Sequence, residues 1–253
     1  MLKLIGLLFM LMDSIGIAFF PDLLILRLVG RLAFPIFAFC VAETVKKGEN
    51  IDGFINRLFT LALLSQFPYL FFRPDVRLEG FSPLKALLYS YLPGLRGIPG
   101  LMQPIPPAIE NSPGLNACFT LAMAVVAIKF LRQTREEKKD KGKTLILFAL
   151  ILMILWSAYF LRVDFGAYGV AMVLLFYNHP IREKGLFAKM LMILPLLVNL
   201  LSMLIQSLTV AALPIVRLLE EVRPDILPAW IYALAYPLHF IVIGLILHQG
   251  LPF

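Results

Sequence analysis

Apolar runs about twenty residues long recur down this chain, and no other feature narrows its possible folds so far. A helix rising 1.5 Å per residue needs about 20 such residues to cross a bilayer core. On that measure spans are expected near 3–20, 24–45, 53–72, 113–131, 144–161, 164–178, 186–207 and 229–248. The expected fold is all-α: a polytopic integral membrane helix bundle of about 8 transmembrane helices, in a single transmembrane domain covering 1–253. Composition agrees, since 60% of the residues are hydrophobic and only 15% charged, where a soluble domain carries about 25% charged. The net charge of +7 sits in short loops between apolar runs, so it reads as topology and excludes a nucleic-acid partner. Membrane lipids are the first partners implied. Cys40 and Cys118 lie inside apolar runs and read as free thiols; the spacing of His and Cys offers no metal site.

Orientation follows from the basic clusters. Lys46, Lys47 and Arg57 flank one loop; Arg132, Arg135, Lys138, Lys139, Lys141 and Lys143 crowd a second, within 129–143; Arg182, Lys184 and Lys189 occupy a third. These are alternate loops, which places all three in the cytoplasm and, with an even span count, both termini there too. The 129–143 loop also suits the phosphates of a cytosolic coenzyme, although ordinary topogenic charge is the favoured reading. Leu4 to Phe20 lacks a small-residue cleavage site and carries Asp13 at its centre, so a retained span is expected rather than a signal peptide. On the outer side lies a proline-rich loop, 73–112, in which Leu84 to Leu92 suits a short interfacial helix. No internal repeat of the transporter kind is visible.

Ionisable groups inside a span cost about 2.5–3.5 kcal/mol on insertion scales, so each is a functional candidate. Asp13 falls near the bilayer midplane, and His239, about nine residues past Trp230 taken as an outer-interface aromatic, falls at a similar depth. If the first and last spans touch, an Asp13–His239 pair makes a general base held in one tautomer; the bland alternatives are an aspartate paired with an arginine and a structural histidine. Arg27 and Arg31, four apart, share a helix face and suit a carboxylate, a phosphate or an oxyanion, or a structural pairing with Asp13 or Asp164. Asp164 and Tyr168 are again four apart, although an aspartate at a helix start is often only a cap. Tyr232, Tyr236 and His239 form a polar stripe, Gln66 and Asn116 lie toward outer span ends, and Glu43 stands at a cytoplasmic end where it can pair with Lys46 or Lys47. Apart from Glu43 and His179 these residues gather in the outer half, which implies a polar cavity opening outward. No phosphate-binding glycine loop or nucleophile elbow is present.

Several segments resemble one family in order along nearly the whole chain. They are Leu-Lys-Leu-Ile-Gly (2–6), Met-Asp-Ser-Ile-Gly (12–16), Arg-Leu-Val-Gly-Arg-Leu-Ala-Phe-Pro-Ile-Phe-Ala-Phe (27–39) with Glu43, and Leu-Leu-Ser-Gln-Phe-Pro (63–68). Further along come Leu-Asn-Ala-Cys-Phe-Thr-Leu (115–121), Asp-Phe-Gly-Ala-Tyr-Gly-Val (164–170) and Tyr-Pro-Leu-His (236–239). This pattern resembles the TraX family of bacterial membrane proteins, associated with N-terminal acetylation of conjugative pilin. The resemblance implies an inner-membrane acyltransferase with acetyl-CoA as donor and a pilin-like or envelope amine or hydroxyl as acceptor. On that reading His239, with Asp13, is the base. Arg27 or Arg31 stabilises the oxyanion or holds an acceptor carboxylate, Asp164 and Tyr168 orient the acceptor, and Tyr236, Asn116, Gln66 and Glu43 complete the substrate set. One departure stands out: Ser14 occupies the place where the family typically carries histidine, so Ser14 joins the candidate catalytic residues. Two other classes fit the same charges, a transporter or flippase for a small solute or lipid and a non-catalytic partner in envelope or pilus assembly.

Overall fold

The computed structural model describes residues 1–74, 114–137, 140–196, 207–219 and 228–248. Most of the proline-rich loop, including Leu84 to Leu92, and the pair Lys138 and Lys139 lie outside the described residues. The described residues are helical, without strands. Helix α1 is Leu2–Phe19, and the second run is divided into α2 (Leu24–Gly30) and α3 (Ala33–Lys46). The break has a local cause. Pro35 has no N–H to return to the Arg31 carbonyl, which removes one rung of the helical ladder at the turn where the run divides.

At the other end of α3 the chain reverses within a few residues. Gly48 takes φ +85°, in the left-handed region that favours glycine, and its N–H closes on the Val45 carbonyl at 3.2 Å. Asn50 then caps α4 (Ile51–Phe71), its side-chain oxygen accepting from Asp52 and Gly53 N–H at 3.2 Å. Asn116 and Asp140 cap α5 (Ala117–Glu136) and α6 (Lys141–Phe160) in the same way. The remaining helices are α7 (Gly166–Asn178), α8 (Leu186–Met192), α9 (Ala212–Leu219) and α10 (Ala229–His248).

Five segments among the described residues are long and apolar enough to cross a membrane: α1, the α2–α3 run, α5, α6 and α10. Helix α4 has the length, but Asn56, Arg57, Thr60, Ser65 and Gln66 make it less apolar. Helix α7 has 13 residues, about 20 Å, short of the roughly 30 Å core expected of a span. The centre is built by α3, α5 and α7, where Ala38, Ala42, Ala122, Ala124 and Ala127 are fully buried. Small side chains let backbones approach where lipid supplies no hydrophobic drive between helices. Helix α6 turns Leu145, Ile146, Leu152 and Trp156 outward, as a lipid-facing helix must.

The helix directions correct one expectation. Helix α1 lies antiparallel to α2–α3, with Gly6 against Ile36 and Phe37, and Gly30 against Asp13. It lies parallel to α10: Lys3 sits 5.8 Å from the Tyr232 ring, and Ser14 meets His239 further along. Helix α4 runs parallel to α10 as well, with Tyr69 on Phe240 and Phe71 beside His248. The beginning of α1 and the end of α10 therefore occupy opposite ends of the bundle, contrary to the expectation of two termini on one side. Trp230, read as an outer aromatic, stands at the same end as Lys3.

The cause lies where one span was expected at 186–207 and a second short helix, α9, follows it. The chain leaves the basic end at α8, and Thr209 meets the Tyr168 hydroxyl at 2.6 Å near the other end of α7. Helix α9 then returns, so that Arg217 donates to the carbonyls of Ile181 (2.8 Å) and Glu183 (3.3 Å) in the basic loop. Among the described residues, α9 thus ends at the basic end, and α10 starts from that same end.

Candidate functional site

A cavity of about 680 Å³ runs between α1, α2–α3, α4 and α10. Lys3, Thr44, Glu49 and Arg57 line it toward the basic end, Ser14, Cys40, Cys118 and Tyr236 in the middle, and Tyr69, Arg73 and Asp164 toward the opposite end. It thus reaches both halves of the bundle rather than the outer half alone. Lys3 and Arg57 are the cations nearest the basic mouth, and Arg57 is paired with Glu49.

At the opposite end three segments of the chain converge on one guanidinium. Arg31 Nε lies 4.0 Å from Asp13 Oδ1, and an Arg31 terminal nitrogen lies 3.8 Å from Asp164 Oδ1. Gly30 makes the first contact possible, because a Cβ there would sit 2.4 Å from the Asp13 Cβ. Asp164 is placed by an unusual turn. Phe165 takes φ +63°, costly for a bulky residue, and its N–H reaches Asp164 Oδ1 at 3.1 Å. The Phe165 ring stacks on Phe34 at 3.8 Å and lies 5.3 Å beneath the Arg31 guanidinium. Among the described residues, Asp13 Oδ1, Arg27 Nε, Arg31 Nε and the Tyr232 hydroxyl are buried without a hydrogen-bond partner. All four residues line the cavity. A buried donor left open in this way costs about 1–3 kcal/mol, a cost a bound ligand would remove.

Midway along the same wall, the Ser14 hydroxyl lies 3.1 Å from His239 Nε2. The other ring nitrogen, Nδ1, faces the Ala235 carbonyl at 3.0 Å. A carbonyl only accepts, so Nδ1 carries the proton, Nε2 is the lone-pair nitrogen, and Ser14 donates to it. Ser14 is 4% and His239 8% exposed, so the pair is closed off from lipid. The expected Asp13–His239 pair is not formed. Neighbours on a helix point about 100° apart, and it is Ser14 that faces α10 while Asp13 turns to Gly30 and Arg31.

The other sequence candidates divide. Tyr236 lines the cavity, with its ring edge-on to His239 at 5.9 Å. Tyr168 is fully buried against Thr209 and does not share a face with Asp164, because Asp164 precedes the helix and the i to i+4 spacing has no meaning there. Gln66 and Asn116 form a staple: Asn116 N–H and its side-chain amide both donate to Gln66 Oε1 at 2.9 Å. The same Asn116 amide reaches the Ala62 carbonyl at 2.8 Å, and neither residue lines the cavity. Glu43 pairs with Lys46 at 2.7 Å on a separate groove at the basic end, shared with His179 and Arg182.

Several of the described cations of the 129–143 loop are tied elsewhere. Lys129 pairs with Asp52 at 2.6 Å, Arg132 donates to Tyr177 and the Val45 carbonyl, and Lys143 pairs with Glu137. Nearby, Glu183 accepts from Lys189 at 2.5 Å and meets His179 Nδ1 at 2.6 Å; these contacts, Lys189 first, hold its carboxyl below the usual carboxylate range. The cavity residues that sequence reasoning missed are Tyr69 and Arg73, together with Lys3 and Arg57 as mouth cations. Arg73, at the end of α4, is a charge at a span boundary, and such charges read first as anchors.

Among known proteins, the family described as TraX protein matches residues 1–80 and 105–247. An uncharacterized protein, RP591, of Rickettsia prowazekii (strain Madrid E) is 34% identical over 71 residues, covering 26% of this chain and 29% of that protein. The chain thus matches less than a third of that relative's length. No solved structure matches.

Proposed function

Because the chain belongs to the TraX family, which is associated with pilin acetylation, we propose that it is an inner-membrane acyltransferase. It moves an acetyl group from acetyl-CoA to an amine or hydroxyl, such as the N-terminus of a pilin-like protein. The observation that carries this reading is the serine–histidine pair set in the wall of a cavity that reaches both halves of the bundle. The basic end faces the cytoplasm on the positive-inside rule. The coenzyme enters there, with Lys3 and Arg57 toward its phosphates, and the acceptor enters from the opposite end, past Arg73 and Asp164. His239, with a lone pair at Nε2, supplies the base, and Arg27 and Arg31 offer buried donors to the oxyanion or to an acceptor carboxylate. Helix α1 places Ser14 about 16 Å past Lys3. A thioester reaching it from the basic mouth and an acceptor from the other end meet at one point.

The test is transfer from radiolabelled acetyl-CoA, by purified protein in detergent, to a peptide with a free α-amine. Label in the peptide, lost on blocking that amine, is the expected result. No transfer to peptide, lipid or small amine at millimolar donor would sink the proposal. A transporter or flippase is the second reading, favoured by the open Asp13, Arg27 and Arg31 atoms in a cavity long enough to be a path. It predicts uptake into proteoliposomes with no covalent product.

A further inference from the structure

We propose that Ser14 is the acyl carrier: the protein works by double displacement through an ester on the Ser14 hydroxyl, made and broken with His239 as its base. The inference rests on the acyltransferase reading and adds the covalent intermediate to it. Its first support is position. Ser14 lines the cavity and His239 does not, so the imidazole stands behind the serine. The hydroxyl in front of the imidazole is therefore the group that a donor in the cavity meets first.

Its second support is the tautomer. With Nδ1–H held by the Ala235 carbonyl at 3.0 Å, Nε2 must accept, and the group 3.1 Å away is the Ser14 hydroxyl. An alcohol is a weak nucleophile until an adjacent base takes its proton, and this geometry supplies that base already oriented. Here a backbone carbonyl does the orienting, while Asp13 belongs to the arginine cluster.

The steps balance. The Ser14 oxygen attacks the thioester carbonyl as its proton passes to Nε2. The carbon–sulfur bond breaks, and the coenzyme leaves as a thiol with that proton. In the second half the acceptor amine or hydroxyl attacks the serine ester and gives its proton to Nε2. The ester bond breaks, and the serine oxygen recovers the proton. Arg27 lines the same cavity as Ser14, and its Nε is without a hydrogen-bond partner among the described residues; it is the donor offered to the oxyanion of both halves. The two halves use the two ends of the cavity in turn, so donor and acceptor need not be bound together.

The decisive experiment incubates the full chain in detergent with radiolabelled acetyl-CoA and no acceptor, followed by acid quenching and peptide mapping. One acetyl group is expected on the peptide containing Ser14, released by alkaline hydroxylamine and discharged by adding acceptor. Ser14→Ala should abolish that label, His239→Gln should slow labelling by at least about a hundredfold, and Ser14→Cys should carry the acetyl as a thioester. Size-exclusion profiles of each variant guard against misfolding. If the wild type acetylates acceptor while carrying no label, and Ser14→Ala transfers at the same rate, the acyl-serine is overturned and the acyltransferase stands. If neither label nor transfer to any acceptor occurs with the wild type, the acyltransferase reading falls and takes the acyl-serine with it.

Discussion

Two polar clusters sit near the same end of this bundle and resolve their charges and hydrogen bonds in opposite ways. In the Gln66–Asn116 staple, the Asn116 side chain accepts from Cys118 N–H and donates to Gln66 and Ala62, and Gln66 donates on to the Gly114 carbonyl. In the Asp13–Arg31–Asp164 cluster the ion pairs are long, at 4.0 and 3.8 Å, and Arg31 Nε and Asp13 Oδ1, with Arg27 Nε lining the same cavity, remain without hydrogen bonds among the described residues. Both clusters are costly to bury. Only the second leaves groups open toward a cavity, and that difference separates polar residues that hold helices together from polar residues that wait for a ligand.

The strongest way to sharpen the contrast is His239→Ala, which should lower the acyl-transfer rate per folded molecule about 10²–10⁴-fold. An unchanged rate would remove the histidine from the reaction. Next comes Arg31→Met. Stranding Asp13 and Asp164 together should destabilise the fold by about 3–5 kcal/mol, and adding Asp13→Asn with Asp164→Asn should recover much of that loss in denaturant titrations. Recovery of stability without recovery of transfer marks the cluster as a binding device; recovery of both would break the comparison. Asn116→Ala should cost about 1–3 kcal/mol for each group it orphans, with turnover per folded molecule unchanged. A matching loss of turnover would put the staple in the site after all.

Smallest is Lys129→Ala. Its exposed pair with Asp52 is worth about 0.2–1 kcal/mol, and acetyl-CoA binding by calorimetry should be unaffected, whereas Lys3→Gln at the cavity mouth should weaken it. Equal losses for the two would return the coenzyme to the 129–143 loop. At the same end the Glu183 contacts are lost as the pH falls through its folded pKa, which lies below the ordinary value of 4.5; Glu183→Gln should flatten the acid limb of stability there.

Much was legible in the sequence because hydropathy is a property of one segment at a time. The helical class, α1, the α2–α3 run, α5, α6 and α10, and the candidate residues Asp13, Arg27, Arg31, Asp164, Tyr236 and His239 follow from apolar runs and the few polar residues that interrupt them, whereas Ser14 became a candidate only through the family resemblance. The resemblance read from short segments agrees with the family that matches most of the chain. Pairings between segments did not follow. Asp13 and Ser14 are adjacent in sequence, and nothing local says which faces α10; the rotation of α1, set by the close approach at Gly30, gives the histidine to the serine. Gln66 and Asn116 lie 50 residues apart, so their mutual satisfaction is invisible in either segment. The direction of α10 turns on whether the chain returns to the basic end after the span expected at 186–207, and a window of hydropathy counts apolar residues without seeing that Arg217 meets Ile181 and Glu183. The sequence alone determined which groups must be buried in a membrane-spanning bundle, since that cost belongs to each residue. Which of them find one another was decided only by helix direction, rotation and close packing, and those belong to the assembled fold.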